Sequence, residues 1–303
     1  MRVLVTGANG WVGRSAIQVL LDKYPNFEVV GTSRTPGFLN VGNQNKIKLV
    51  TLQDSVIKDR LFDGLIHTAF PTQNLVEKLG QNEYTRQAML VNSWLQKFGE
   101  LNDLNFIFGI SSGVVSLKEN GMLHENEDPY ADEKQKEEHL IKSIGAKGYS
   151  IGRLWAGSGR FIKNYRIYAL GQFIESAING NDIVIKSQKE TFRRYCDVEQ
   201  FCEIGIALSL DGFNKQFNSG GTLISIQDLA HKIGSRFSGV AIRSLNQGHE
   251  KFNQPNDYFP IAEDFDRFAE RYRIKLFPME EQITRSIIGV KRAIAMEVYC
   301  DRK

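Results

Sequence analysis

The side chains best suited to chemistry in this sequence are a tyrosine and a lysine four residues apart, Tyr130 and Lys134. Residues at this spacing lie on one face of a helix. A neighbouring ammonium group favours the phenolate and lowers the pKa of a tyrosine, which is ordinarily about 10. The spacing therefore predicts that Tyr130 acts as a general acid–base near neutral pH.

A serine precedes this pair at the end of an apolar segment. Residues 106–110 form a short apolar run that is typical of a buried strand, and Ser112 follows it. We expect the Ser112 hydroxyl to donate a hydrogen bond to the reacting oxygen. A second Tyr-x-x-x-Lys, Tyr299 to Lys303, ends the chain without such a context, and we assign it no role.

The first thirteen residues predict a second site. Residues 1–5 are typical of a buried parallel strand, and an apolar-periodic segment predicts a helix after the glycine-rich residues 6–13. Gly7 is expected to make the tight turn, Gly10 to let the backbone approach a pyrophosphate, and Gly13 to let the helix pack on the strand. Phosphates would bind the N–H groups and positive dipole of the helix N-terminus. The pattern favours a dinucleotide.

The end of the second predicted strand, residues 27–32, bears on which dinucleotide is bound. NAD enzymes place a carboxylate there to bind the adenosine ribose, whereas NADP enzymes place an arginine or hydroxyl that accepts the 2′-phosphate. This chain has Ser33 and Arg34, and no acid. The sequence predicts NADP rather than NAD; the alternative is that Arg34 is only a solvated turn residue.

Strands and helices alternate over the first 155 residues. Further strands are predicted at 47–52, 64–69, 106–110 and 149–154, and helices at 83–98 and 130–144, with a polar loop at 117–128. This alternation predicts an α/β fold: a Rossmann-type, doubly wound parallel sheet covered on both faces. Asp54, after the third strand, is expected to meet the adenine edge, and the fourth strand to end near the nicotinamide.

The pattern changes after residue 155. Five helices are predicted: one at 168–178, one that follows residues 193–195 and ends at about 210, one that begins at 225, and two at 261–273 and 279–288. A short strand is predicted at 182–186, and loops at 157–160 and 255–259. We expect residues 1–155, with a return segment at about 191–220, to form the dinucleotide-binding domain. Residues 156–190 and 221–303 would form a smaller, intertwined C-terminal substrate lobe.

Composition excludes several classes of protein. A net charge of +3 gives no case for nucleic acid, and no apolar run is long enough to span a membrane. The chain begins directly with a strand, so no signal peptide is expected. Cys196, Cys202 and Cys300 form no metal-binding pattern and are expected to be reduced packing residues in a cytoplasmic protein. His67 is expected to be packed and hydrogen-bonded, and the charged residues 132–138 to form a solvated face.

These motifs together resemble the extended short-chain dehydrogenase/reductases of the nucleotide-sugar epimerase/dehydratase family. Residues 6–13 match the glycine turn, residues 65–69 the fourth strand, Ser111 and Ser112 the catalytic serine region, and Tyr130 with Lys134 the catalytic pair. The resemblance implies that Arg193 contacts the substrate diphosphate and that Asn92 supports the active site. It also implies a homodimer.

Departures from the family's motifs narrow the range of reactions expected of this chain. Gly113 and Val114 stand where the 4,6-dehydratases carry an Asp-Glu pair, and Gly113 stands where enzymes that couple 3,5-epimerisation to reduction carry a cysteine. Ser33 and Arg34 favour NADPH-dependent reduction of a keto group on a nucleotide-activated sugar, with a 4-keto-6-deoxy sugar nucleotide as the specific expectation. An NAD(P)-dependent nucleotide-sugar 4-epimerase is the alternative. A second is a non-catalytic NADP-binding sensor protein, although such proteins usually lose the Tyr/Lys pair.

The predicted site is thus specified residue by residue. Ser112, Tyr130 and Lys134 are the expected catalytic residues, and Ser112 and Arg193 the expected substrate-binding residues. The expected dinucleotide-binding residues are Gly7, Asn9, Gly10, Trp11, Val12, Gly13, Ser33, Arg34, Asp54, Thr68, Ala69, Tyr130 and Lys134. The residues that determine which sugar and which nucleotide bind are expected within about 156–190 and 245–265.

Overall fold

A computed structural model describes residues 1–41, 45–54, 61–123, 128–187, 189–245 and 256–300 of the chain. The chain forms two compact units. The first comprises Met1–Leu154 and Glu199–Asn218, and the second comprises Trp155–Val198 and Ser219–Lys303.

The first unit is built on a sheet with eight described strands. They are β1 (Arg2–Val5), β2 (Glu28–Thr32), β3 (Gly37–Val41), β4 (Asn45–Val50), β5 (Gly64–His67), β6 (Phe106–Ser112), β7 (Gly148–Leu154) and β11 (Lys215–Asn218). Their order across the sheet is β11-β7-β6-β5-β1-β2-β4-β3, and every neighbouring pair is parallel except β3 with β4. The strand order reverses beside β1, and ligands of such sheets bind outside the carboxyl ends of the strands at this point.

Helices accompany the sheet in the way that a doubly wound fold requires. They are α1 (Trp11–Lys23), α2 (Asn74–Leu79), α3 (Gln81–Leu101), α4 (Gly113–Glu119), α5 (Pro129–Ser143) and α7 (Val198–Leu210). A buried apolar cluster joins the middle strands to α3 and α5, and it includes Leu4, Leu65, Leu95, Ile107 and Ile141. The predicted α/β, Rossmann-type fold is confirmed.

Two elements beside the predicted site differ from the prediction. β3 follows the polar turn and pairs antiparallel with β4; its side chains alternate, so that Leu39 and Val41 are buried while Phe38 is exposed. α4 begins directly after Ser112 and covers residues 117–119, which were expected to be loop. The Ser112 hydroxyl caps this helix by accepting a hydrogen bond from the Val114 N–H at 3.4 Å. A helix this short has too little periodicity to be found by pattern.

The second unit contains two smaller sheets. β10 (Thr191–Asp197) pairs with β8 (Ala156–Ser158), β12 (Thr222–Ser225) and β14 (Asn256–Tyr258), and β9 (Ile183–Ile185) pairs with β13 (Ile242–Ser244). Its helices are α6 (Ala169–Ile178), α8 (Ile226–Gly234), α9 (Glu263–Arg271) and α10 (Met279–Cys300). Strands thus occupy part of the predicted loops at 157–160 and 255–259, and the last helix extends well beyond residue 288. Residues 246–255, within one of the regions expected to choose the sugar, lie outside the described part, as do residues 301–303 with the second Tyr-x-x-x-Lys.

Within the described ranges, no helix combines the length and apolar character needed to cross a bilayer. The same part of the chain holds no group of three or more His, Cys, Asp or Glu side chains arranged to bind a metal. Cys196 and Cys202 are buried and form no disulfide within the described residues, which agrees with the prediction that they are packing residues.

A buried arginine connects β7 to α4 and α5. Arg153 donates to both carboxylate oxygens of Glu138, at 2.9 and 2.7 Å, and to both of Glu119, at 2.5 and 2.7 Å. Its Nη1 also donates to the Ser116 hydroxyl at 3.0 Å. Because α4 follows Ser112 without an intervening residue, these bonds hold the backbone that leaves Ser112.

We expect Arg153→Met to lower the free energy of unfolding by about 3 kcal/mol, because it leaves the Glu138 carboxylate buried without its cation. Urea unfolding followed by circular dichroism measures the loss. Lys147→Met is the control, since the exposed Lys147–Asp103 pair is 3.9 Å apart and such pairs are worth about 0–1 kcal/mol. Equal losses in the two variants would contradict a structural role for the buried network.

Candidate active site

The glycine turn has the geometry that its sequence predicts. Gly7 has a φ of +64°, and a Cβ there would lie 2.8 Å from the Thr68 hydroxyl. A Cβ on Gly13 would lie 2.3 Å from the Gly7 carbonyl oxygen, so α1 packs directly on the turn. No side chain caps α1, and its first turn carries no acid. This uncapped helix N-terminus, preceded by Gly7 and Gly10 that carry no side chain, fits the pyrophosphate of a dinucleotide.

Thr6 joins this turn to the end of β5. Its hydroxyl accepts hydrogen bonds from the Thr68 and Ala69 N–H groups at 3.0 and 3.1 Å. The Thr68 hydroxyl in turn donates to the Thr6 carbonyl at 2.6 Å. Thr68 and Ala69, two of the predicted dinucleotide-binding residues, are therefore held against the glycine turn, which also contains Asn9 and leads into Trp11 and Val12 in the first turn of α1.

The end of β2 reaches the same turn. The Thr32 carbonyl accepts a hydrogen bond from the Ala8 N–H at 2.9 Å, and the Thr32 hydroxyl accepts one from the Gly7 N–H at 3.2 Å. Ser33 follows and is half-buried, and Arg34 is exposed without an ion pair or hydrogen bond to any described side chain. Asp54 is half-buried after β4, with its N–H bonded to Thr51.

Tyr130 lies in the first turn of α5. The Asp128 carboxylate caps this helix by accepting hydrogen bonds from the Tyr130 and Ala131 N–H groups at 2.9 and 3.2 Å. The Ser112 hydroxyl lies near enough to the phenol to act on it as a hydrogen-bonding neighbour, so the structure brings these two predicted catalytic residues together. Desolvation by the surrounding protein raises the pKa of Tyr130 to about 12, although Ser112 acts in the opposite direction.

Lys134 is bound by groups other than Tyr130. Its ammonium donates to the Ile110 carbonyl at 2.8 Å and to the Glu137 carboxylate at 2.6 Å. It also lies 4.0 Å from the centre of the Phe70 ring. The prediction that Tyr130 has a lowered pKa is wrong for this structure, because burial of the phenol raises its pKa and the carboxylates of Glu137 and Asp128 raise it further.

His67 completes a buried cluster with Glu137. Its Nδ1 lies 2.9 Å from the Thr6 hydroxyl, and its Nε2 lies 3.1 Å from a Glu137 oxygen, off the line of an ideal hydrogen bond. The Thr6 oxygen already accepts two N–H groups, so its own hydrogen points to Nδ1 and the ring proton lies on Nε2, facing Glu137. Lys134 and His67 together hold the pKa of Glu137 below its usual value. His67 is thus packed and hydrogen-bonded, as predicted.

The charged residues 132–138 are not a solvated face, contrary to the prediction. Four of them are at most 5% exposed: Glu133, Lys134, Glu137 and Glu138. Sequence reasoning missed Glu137 and Phe70 as members of the site. A signal for Glu137 was present, because it follows Lys134 by three residues and so shares a helix face with it. Phe70 gave no such signal, since its ring reaches the ammonium from a loop.

The family resemblance implies roles for two further residues, Asn92 and Arg193. Asn92 lies on α3, and its side-chain oxygen is buried without a hydrogen-bond partner among the described residues. Arg193 lies on β10 in the second unit, where its guanidinium donates to the Phe192 carbonyl at 2.7 Å and lies 5.5 Å from the Tyr258 ring centre. The roles of both residues stay predictions.

A sequence profile of the NAD dependent epimerase/dehydratase family matches residues 3–218. The chain belongs to this family. It is therefore an enzyme of the extended short-chain dehydrogenase/reductase type, as predicted. No protein of curated function matches this chain by sequence.

Similar solved structures cover nearly the whole chain. One is a UDP-N-acetylglucosamine 4-epimerase from Methanobrevibacter ruminantium M1 in complex with UDP-N-acetylmuramic acid (20% identity, 95% of this chain and 97% of that chain, TM-score 0.73). A second is a UDP-glucuronic acid 4-epimerase from Bacillus cereus in complex with UDP-glucuronic acid and NAD (17%, 96% and 99%, 0.70). A third is a dTDP-glucose 4,6-dehydratase from Bacillus anthracis str. Ames in complex with NAD (14%, 96% and 97%, 0.69). At these identities the likeness shows the fold.

We expect Gly10→Ala to weaken binding of NAD(H) at least about tenfold, which is about 1.4 kcal/mol, while leaving thermal unfolding nearly unchanged. Gly10 has ordinary backbone angles and a Cβ there would meet only the Gly7 carbonyl oxygen, at 3.0 Å, so the methyl group mainly enters the space above the helix N-terminus. Calorimetric titration measures the affinity. Gly13→Ala is the comparison, because its methyl group collides with the turn itself and is expected to lower the unfolding temperature. Undiminished NAD(H) binding by Gly10→Ala would contradict the assignment of the glycine turn.

Proposed function

We propose that this enzyme is an NAD-dependent 4-epimerase of a nucleotide-activated sugar. The observation that carries the proposal is the proximity of the Ser112 hydroxyl and the Tyr130 phenol at the carboxyl end of β6, a strand of the sheet whose first strand leads into the glycine turn. It supplies one acid–base group and one hydrogen-bond donor. The nicotinamide of a bound dinucleotide would supply the means to accept and return a hydride.

The residues after Ser112 argue against elimination of water. Gly113 and Val114 are buried in the first turn of α4 and carry no group able to transfer a proton. A dehydratase needs an acid and a base beside the sugar in addition to the tyrosine, and family dehydratases carry them at these two positions. The chemistry that remains is oxidation or reduction at one carbon, with a single proton transferred.

In this proposal each residue has a defined task. Tyr130 removes a proton from the sugar 4-hydroxyl and later returns it to the same oxygen, while Ser112 donates a hydrogen bond to that oxygen. Lys134 holds the nicotinamide ribose, and the glycine turn holds the pyrophosphate. Arg193 binds the substrate diphosphate, as the family resemblance implies. The first unit accordingly serves as the dinucleotide-binding domain and the second as the substrate lobe.

NADPH-dependent reduction of a 4-keto sugar nucleotide is the second candidate. Two observations favour it: Arg34 is exposed after β2 with no acid beside it, and the pKa of Tyr130 is raised to about 12. A tyrosine that keeps its proton is suited to donate it to an alkoxide, which is the only proton transfer that a reductase needs. NAD is placed first because it is the cofactor of the family description and of two of the similar structures.

Tyr130→Phe is expected to lower kcat by about 10²–10⁴-fold, since it removes the group that is proposed to move the proton. Affinity for NAD is expected to change by less than about threefold, because the substitution leaves the glycine turn intact. Tyr84→Phe is the matched control: it deletes a buried phenol that donates to the Pro71 carbonyl at 3.0 Å and has no proposed role in proton transfer. A Tyr130→Phe enzyme of normal kcat would exclude the proposed mechanism.

A labelled substrate separates the two candidate reactions. UDP-sugars carrying deuterium at C4 are incubated with the enzyme and catalytic NAD⁺, and the products are followed by NMR. Epimerisation gives the 4-epimer with its deuterium retained and no net consumption of cofactor. Consumption of one NADPH for each 4-keto sugar nucleotide, without epimer formation, would instead establish the reductase.

Calorimetric titration with NAD⁺ and NADP⁺, with and without Arg34→Ala, tests the cofactor. The proposed epimerase binds NAD⁺ at least as tightly as NADP⁺, and the substitution leaves that ratio unchanged. A preference for NADP⁺ that disappears with Arg34 would support the reductase, because the guanidinium would then be binding the 2′-phosphate. A cytoplasmic location and the homodimer stay predictions.

A further inference from the structure

A carboxylate is buried beside the lysine of the catalytic pair. Glu137 is 1% exposed and accepts a hydrogen bond from the Lys134 ammonium at 2.6 Å. We propose that Glu137 is a positioning residue for Lys134, which fixes the ammonium against the Ile110 carbonyl and cancels its charge beside Tyr130. The inference depends on the roles given to Tyr130 and Lys134 in the proposed function.

The hydrogen bonds of the ammonium support this role. A lysine has three N–H donors. One is used by the Ile110 carbonyl and one by Glu137, and the Phe70 ring lies 4.0 Å from the nitrogen, within the range of a cation–π interaction. Lys134 makes no hydrogen bond with Tyr130 in the described structure. The lysine is thus held from three directions.

The carboxylate is itself fixed from the opposite side. His67 presents Nε2–H to Glu137, because the Thr6 hydroxyl occupies Nδ1. The His67 ring also stacks on Trp94 of α3, with ring centres 6.1 Å apart. Lys134 and Glu137 form an ion pair of zero net charge.

This cancellation has a consequence for Tyr130. The charged and titratable groups around it lie on α5, α3, β5 and β6 and in the residue before α5: Asp128, Glu133, Lys134, Glu137, Tyr84, His67 and, as hydrogen-bond partner, Ser112. Glu137 and Asp128 both raise the pKa of Tyr130. Removing the charge of Glu137 alone leaves the Lys134 cation without opposition and therefore favours the phenolate.

The test is to titrate Tyr130 in the cofactor-free protein. NMR of ¹³C-labelled tyrosine follows the ring carbon that bears the oxygen, and Tyr130→Phe assigns its signal among the 10 tyrosines. In the wild type we expect no deprotonation of Tyr130 below about pH 11. In Glu137→Gln we expect its pKa to fall by at least about one unit.

Control variants separate charge from packing. Glu133→Gln removes a buried carboxylate one turn earlier, which pairs with Lys136 and not with Lys134, and it should leave the Tyr130 titration at the wild-type position. Glu137→Asp keeps the charge and should do the same. The double variant Lys134→Met/Glu137→Gln removes both charges and should also restore a high pKa.

Two outcomes would overturn the inference. The first is that Glu137→Gln lowers the unfolding temperature but leaves the Tyr130 titration unchanged, which would show that Glu137 has only a structural role. A pKa that stays low in the double variant would show that the Lys134 charge is not the cause. If Glu137→Gln does not fold, Lys134→Met compared with the double variant still decides, because the unopposed Glu137 carboxylate predicts a higher Tyr130 pKa in the single variant, whereas equal titrations would overturn the inference. No substrate is needed, so failure of the proposed 4-epimerase activity is detected separately.

Discussion

The hydroxyl of Thr6 is the contact on which the rest of the site depends. It accepts the Thr68 and Ala69 N–H groups and donates to His67, so one oxygen ties the glycine turn to the end of β5. Its hydrogen bonds decide which nitrogen of His67 carries the proton, and that proton faces Glu137. Glu137 then fixes Lys134. The predicted dinucleotide turn and the catalytic helix are therefore joined by a continuous chain of polar contacts.

α5 carries two buried carboxylates on neighbouring residues, and each has its own cation. Consecutive residues of a helix point about 100° apart. Glu137 consequently reaches Lys134 of the same helix, while Glu138 reaches Arg153 on β7. Buried ion pairs add little net stability compared with apolar residues, but the loss of one partner is costly. Any other rotation of α5 would leave a charge unpaired in the interior. The two pairs thus specify one orientation of α5, and with it the position of Tyr130 relative to Ser112.

The sequence was sufficient to predict the elements whose signal is local. β1, the glycine turn and α1 follow from an apolar run, three glycines and helical periodicity. α5 begins at Pro129, one residue before the predicted start, because Asp128 caps it. What the sequence could not show depends on distant partners. The charged stretch of α5 has the composition of a solvated helix, and its burial depends on His67, Ile110 and Arg153, which come from three different strands. The error over Tyr130 has a related cause: Glu137 is only three residues from Lys134, but the burial that raises the pKa of Tyr130 follows from the packing of α5 against other elements.

Because Glu137 opposes the charge of Lys134, this lysine does not by itself favour the phenolate form of Tyr130. In the proposed epimerisation, Tyr130 must begin as the phenolate, accept the proton of the sugar 4-hydroxyl and later return it to the same sugar oxygen. Burial of the phenol, with the carboxylates of Glu137 and Asp128 beside it, favours the protonated form of Tyr130. The positive charge that favours the phenolate must therefore arrive with the ligand, and among nicotinamide dinucleotides only the oxidised form has a cationic ring. Coulomb attraction in a desolvated site is strong enough for such a charge to shift a pKa by one to three units, on the order of what a neighbouring cation does elsewhere. The proton affinity of Tyr130 would then follow the oxidation state of the nicotinamide: a base when the sugar is to be oxidised, and an acid when the keto group is to be reduced.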